Sequence, residues 1–210
     1  MEKGKFIVLE GIDGCGKSTQ VKKATAYLFD KSKEFDVYLT REPTRNSKEI
    51  RERLSSGSDV KKDSEWYAKN FTADRFNHVD LYIRPAINRG THVLCDRYKH
   101  STLAYQWSQG MDIQQLLTMQ GGLMIPDLTF ICDCPAKIAI KRRAAGGATD
   151  VFERGKELSE VLSFQEQLQQ NYLNLIEYLP GEKIVIIDAS KSADEVFEQT
   201  KKHLDDLFNS

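Results

Sequence analysis

Five short runs, Phe6–Glu10, Val37–Thr40, His92–Asp96, Leu128–Cys132 and Lys183–Asp188, are almost continuously apolar, as strands covered on both faces should be. Between them, apolar positions recur at helical spacing over Lys17–Asp30, about Ser47–Ser55, Asp63–Asn88, Ser101–Gln120, Pro135–Ala145, Arg154–Leu179 and Ala193–Phe208. Strand and helix alternate along the chain. That alternation predicts an α/β fold with a five-stranded, mainly parallel sheet and helices on both faces. A glycine-rich, weakly apolar stretch at residues 144–150 interrupts the helical text, and it predicts a small mobile lid over about residues 142–153.

Composition narrows the picture. With 210 residues and 40% hydrophobic content, the chain can bury one core, so residues 1–210 are expected to form a single domain. Thirty basic against 31 acidic residues give a formal charge of −1, which predicts neither nucleic acid nor an anionic membrane as a partner. No apolar run approaches a membrane span, and the first residues lead directly into a strand, so a cytoplasmic location is expected. Cys15, Cys95, Cys132 and Cys134 lack C-x-x-C spacing and read as buried thiols. His78, His92, His100 and His203 show no zinc-ligand spacing.

The densest chemical signal is GIDGCGKST, residues 11–19, which fits G-x-x-x-x-G-K-S/T between a strand and a helix. Backbone N–H groups of such a loop curl around phosphate, and the following helix adds its positive end. Gly11, Ile12, Asp13, Gly14, Cys15, Gly16, Lys17, Ser18 and Thr19 are therefore candidate ATP-binding residues, with Lys17 aimed at the β/γ-phosphates and Ser18 a candidate Mg²⁺ ligand. The fold expectation sharpens to a P-loop NTPase fold.

In open parallel sheets ligands collect beyond the carboxyl ends of the strands. Those positions are polar here: the P-loop, Arg41 to Arg45, Asp96-Arg97-Tyr98, and Asp188 to Ser192. No N-K-x-D base reader of a GTPase is present, and the third strand ends in VLCDRY, a short kinase-like ending. The chain closely resembles the thymidylate kinases over nearly its whole length. The likeness is carried by FIVLEGIDG (6–14), TREP (40–43), FTADR (71–75), DRY (96–98) with Ser101, Ala104 and Tyr105, PD (126–127) and IDA (187–189).

The resemblance implies a function, transfer of the γ-phosphoryl group of ATP to dTMP, with Mg²⁺ as cofactor. It also implies roles. Lys17, Asp96 and Arg97 would be catalytic, with Asp96 helping Ser18 place Mg²⁺. Arg45 and Arg97 would hold the dTMP phosphate. Phe71 would stack on thymine, Arg75 would bond its exocyclic oxygen, and Ser101 and Thr102 would line the base. Tyr105 would lie under the sugar, Asp13 would approach the 3′-OH, and Ala189 would sit against adenine. Phe71 and Arg75, four apart, share a helix face.

One feature departs from the family. Its members carry a catalytic arginine either in the P-loop, just after the acidic residue, or in the lid. Here Gly14 follows Asp13 and Val151 stands where a lid arginine is common, so Arg142 or Arg143 is the expected catalytic cation. A homodimer is implied as well. Two other readings compete with dTMP kinase: a deoxynucleoside kinase, whose neutral acceptor would need a base such as Asp96, and a non-catalytic nucleotide sensor with an eroded lid.

Overall fold

A computed structural model describes residues 3–56, 62–146 and 157–209. The strands are β1 (Phe6–Glu10), β2 (Val37–Arg41), β3 (His92–Asp96), β4 (Leu128–Asp133) and β5 (Ile184–Asp188). They form one sheet in the order β2-β3-β1-β4-β5, with every pairing parallel. Every residue of β1 and β3 is buried, whereas the edge strands β2 and β5 are largely half-exposed or exposed. This gradient follows from position, because inner strands are covered by helices on both faces.

The helices are α1 (Lys17–Lys31), α2 (Lys48–Ser55), α3 (Ser64–His78), α4 (Arg84–Asn88), α5 (Lys99–Ser108), α6 (Ile113–Met119), α7 (Ala136–Ala145), α8 (Leu158–Tyr178) and α9 (Ala193–Phe208). β1 divides the core by its alternation. Ile7 and Leu9 join the larger cluster with α1, α5, α8 and α9, while Phe6 and Val8 join the smaller one with Val79, Ile83, Ala86 and Ile87. All four cysteines are free and buried. No helix among the described residues is long and apolar enough to cross a membrane.

Two helices expected as continuous are divided. The Asp63–Asn88 text becomes α3, a π-helical segment at Val79–Ile83, and α4. Pro85 has no N–H to give the carbonyl four residues back, and the Arg84 N–H reaches back five residues to Val79 O, so the ladder widens by one residue there. The Ser101–Gln120 text becomes α5 and α6. Gly110, at φ 99°, ends one helix, and the Asp112 carboxylate caps the next by accepting from Gln115 N at 2.9 Å. The predicted Arg154–Leu179 helix is observed as α8 from Leu158, and its first residues lie outside those described, as does most of the expected lid.

α9 is anchored at both ends. Ser192 and Glu195 form a reciprocal capping box at its start. Near its end, Asp205 accepts from Lys31 at 2.6 Å and from Lys201 at 2.9 Å, and it also accepts from the Tyr27 hydroxyl. The bond from Lys31, then those from Tyr27 and Lys201, hold the Asp205 carboxyl well below the usual carboxylate range. A depressed pKa stabilises the fold above the unfolded value and loses that contribution as pH falls. Asp205→Asn is therefore expected to lower the thermal midpoint by about 2–4 °C at pH 7. The gap between parent and variant should close as pH falls below about 4. Thermal melts at pH 7 and pH 3 check both parts.

Candidate active site

The P-loop runs from the end of β1 into α1, and three of its glycines adopt positive φ: Gly11 at 137°, Gly14 at 87° and Gly16 at 100°. Gly14 is constrained by space as well as by φ, since a Cβ there would lie 2.2 Å from the Ala139 carbonyl oxygen of α7. The loop thus rests directly on the helix that leads into the expected lid. Lys17 is buried, and its Nζ donates to the carbonyls of Gly11 and Ile12, each at 2.8 Å, with Asp13 at 3.9 Å.

The third strand delivers the next group. Asp96, its last residue, accepts from the Ser18 hydroxyl at 2.9 Å. Parallel pairing sets Arg41 of β2 beside Asp96, and the Arg41 guanidinium lies 3.7 Å from that carboxylate. Immediately after the strand, Arg97 takes φ 75° and is the only non-glycine residue with positive φ among those described. A side chain in that conformation costs about 1–2 kcal/mol, so surrounding contacts must hold it. Arg97 N donates to Leu9 O at 3.0 Å. Its Nη1 donates to Ser101 Oγ at 2.9 Å, to Tyr172 OH at 3.0 Å and to Gly11 O at 3.3 Å, and its Nη2 donates to Asp13. Burial opposes the Arg97 charge, but Asp13 followed by the nearby tyrosines and Glu10 prevails and raises its pKa, so the guanidinium stays cationic.

Behind this turn stands Glu10, fully buried at the end of β1. One of its oxygens accepts from Tyr98 N at 2.6 Å and Ser101 N at 3.1 Å. The other accepts from Ser101 Oγ at 2.7 Å and Tyr172 OH at 3.2 Å. Tyr105 OH donates to Asp13 at 2.9 Å. In this way α5, α8, β1 and the P-loop all bear on the Arg97 guanidinium.

A cavity of about 480 Å³ lies at the carboxyl edge of the sheet. It brings together Asp13, Lys17, Ser18, Arg41, Asp96, Arg97, Arg142 and Arg143, so five of the eight are cationic. Arg45 falls elsewhere: it is exposed and lines the adjoining hollow, which shares Ser18, Arg41 and Asp96 with the main cavity. Of the two cations expected on the acceptor phosphate, Arg97 is in the main cavity, and its companion there is Arg41.

Arg142 and Arg143 both reach the cavity wall from α7, but Arg142 is engaged otherwise. Its guanidinium donates to the carbonyls of Ala189 at 2.7 Å, Ser190 at 3.0 Å and Lys191 at 2.9 Å. It binds together the loop after β5, where adenine was expected near Ala189. Cys15, within the P-loop, has its thiol pKa lowered, chiefly by a hydrogen bond with Cys132, with Lys17 adding to the effect against burial.

The residues expected around the base lie on α3 and α5. Phe71 is half-buried and stacks on Tyr67, with ring centroids 5.6 Å apart and planes 23° apart. Arg75 and Thr102 are each 2% exposed. Arg75 is pinned by Glu42, Gln120 and the Tyr98 carbonyl. Sequence reasoning assigned no role to Glu10, Arg41, Glu42, Gln120 or Tyr172. Glu10, Arg41 and Glu42 carried a signal, since they lie in FIVLEGIDG and TREP, whereas Gln120 and Tyr172 carried none.

A family model described as thymidylate kinase matches residues 9–200. A probable thymidylate kinase of Pyrococcus horikoshii is 38% identical over 190 residues, covering 87% of this chain and 88% of the relative. The thymidylate kinase of a Geobacillus species is 36% identical over 204 residues, covering 94% of each, and that of Maridesulfovibrio salexigens is 32% identical, covering 93% of each. With its P-loop, its Asp96-Arg97 turn and matches spanning both ends of the sheet, the chain belongs to the thymidylate kinase family.

Proposed function

We propose that this chain is a dTMP kinase, a cytoplasmic enzyme that transfers the γ-phosphoryl group of ATP to dTMP and releases dTDP and ADP. The observation that carries the reading is the gathering of Lys17, Arg41 and Arg97 around the P-loop in one cavity. An acceptor phosphate is already anionic, so the reaction needs charge neutralisation and alignment more than it needs a base. A deoxynucleoside acceptor brings no phosphate for these gathered cations to neutralise, and this disfavours the nucleoside kinase alternative.

Lys17 would hold the β/γ-phosphates and Arg97 the acceptor phosphate, with Arg41 and Arg45 along its approach. Ser18 and Asp96 offer a hydroxyl and a carboxylate oxygen 2.9 Å apart, a hard-oxygen pair that suits Mg²⁺. When bound, Mg²⁺ would neutralise charge on the transferring phosphates. Arg142 would shape the adenine loop through its three carbonyl contacts, and Arg143 would be the catalytic cation from the lid side. Phe71 would stack on thymine, Arg75, Ser101 and Thr102 would define the base site, and Tyr105 with Asp13 would border the sugar.

A coupled ADP-release assay across dTMP, dUMP, dCMP, dGMP, UMP and thymidine tests this directly. Turnover is expected to be greatest with dTMP and absent with thymidine. A clear preference for any non-thymine acceptor overturns the assignment, and nucleotide binding without turnover would favour the sensor reading. We also propose a homodimer, supported by exposed Phe76, Leu81 and Tyr82 on α3 and the π-helical segment. Light scattering should give twice the 24.0 kDa chain mass.

A further inference from the structure

Beneath the cavity, a chain of buried polar side chains converges on Arg75. Its Nε donates to Glu42 Oε2 at 2.6 Å, its Nη1 to Gln120 Oε1 at 2.8 Å, and its Nη2 to Tyr98 O at 3.1 Å. The second Glu42 oxygen pairs with His78 Nδ1 at 3.0 Å, and His78 Nε2 pairs with the Thr40 hydroxyl at 2.8 Å. A carboxylate only accepts, so this network puts the imidazole proton on Nδ1. On the other side, Gln120 Nε2 donates to Thr72 Oγ1 at 2.6 Å, and that hydroxyl donates to Ala68 O at 2.7 Å. Glu42, Thr72, Arg75, His78 and Gln120 are all buried.

Glu42, His78 and Cys95 also bring one ligand-type atom each within 4.8 Å of one another. A cation already occupies that set, because Arg75 is paired with Glu42. Burial, reinforced by Glu42 and Asp96, pushes the Cys95 thiol well up, and it donates to the Arg97 carbonyl at 3.0 Å. The cluster is organised around a guanidinium.

A guanidinium carries five N–H bonds. Three are committed, which leaves one on each of Nη1 and Nη2. Because all three nitrogens are held, the plane of the group is fixed and the two remaining donors each have a single direction. We propose that Glu42 and Gln120, with His78 behind Glu42, are positioning residues for base selection. They lock Arg75 so that its remaining N–H groups meet a pyrimidine with a carbonyl at C4 and reject one with an amino group there. The proposal rests on the reading of Arg75 as the base-contacting residue. An amino group facing a donor-only fork leaves buried donors unpaired, and a pinned fork cannot turn to offer anything else.

The test measures kcat and KM for dTMP and dCMP separately in the parent, Glu42→Gln, Gln120→Met, Arg75→Gln, and the Glu42→Gln/Arg75→Gln double variant. Glu42→Gln is expected to raise KM for dTMP more than it lowers kcat, and to reduce the dTMP:dCMP ratio of kcat/KM at least about tenfold. Gln120→Met should do the same to a smaller degree. In the Arg75→Gln background, Glu42→Gln should leave the ratio where Arg75→Gln put it. A purely structural role would lower both acceptors alike. A parental ratio in both Glu42→Gln and Gln120→Met overturns the proposal while the Arg75 reading stands. A parental ratio in Arg75→Gln overturns both. Should Glu42→Gln fail to fold, Gln120→Met carries the test.

Discussion

Lys17→Met is expected to lower turnover with ATP and dTMP by at least about 10³-fold while leaving the enzyme folded. The ammonium is buried and held by the carbonyls of Gly11 and Ile12, at the mouth of a loop whose N–H groups would surround phosphate. Methionine keeps the length and apolar stem of lysine but removes the charge, so the loss should fall on the transition state rather than on packing. Two carbonyls lose a donor, and the stability change should stay near about 1–2 kcal/mol. Single-turnover rates at saturating nucleotide, beside a denaturant titration, separate the two effects. Turnover within tenfold of the parent would remove Lys17 from the chemistry.

The second large effect belongs to Arg97, where backbone and side chain can be tested apart. Arg97→Ala and Arg97→Gly should each reduce kcat/KM for dTMP by about 10³-fold, because either removes the guanidinium expected on the acceptor phosphate. Their stabilities should differ. Alanine keeps a Cβ at φ 75° and so keeps the strain, whereas glycine adopts that conformation freely. The glycine variant should therefore be more stable than the alanine variant by about 1 kcal/mol, as read from urea midpoints. Equal stabilities would mean that the turn is held by its hydrogen bonds to Glu10 and Leu9 with no strain to relieve.

How much of this was legible depends on how local each signal is. The five strands and the parallel sheet were readable because inner strands must be apolar on both faces, the P-loop and Arg97 follow their strands directly, and Asp96 ends its own. The break between α5 and α6 was written in Gly110 and Asp112, yet the helical spacing on either side hid it. Pro85 likewise marked the widened turn after α3. The acceptor-side cations were less readable. Arg41 enters the cavity only because parallel register sets it beside Asp96, and Arg45, expected with Arg97, lines the neighbouring hollow. Glu10 and Gln120 gain their roles from partners 88 and 45 residues away, separations that periodicity cannot see. Arg142 was expected, with Arg143, as a catalytic cation, and only the fold brings the Ala189–Lys191 carbonyls to it.

The contact between Gly14 and Ala139 constrains how this enzyme can be re-engineered. Grafting an arginine onto position 14 would drive its first side-chain carbon into the α7 backbone and would also force a left-handed torsion on a residue that carries a Cβ. A single substitution there would lift the helix or unseat the loop before it could supply any charge. Moving the lid-side cation into the loop would therefore require α7 to be rebuilt first.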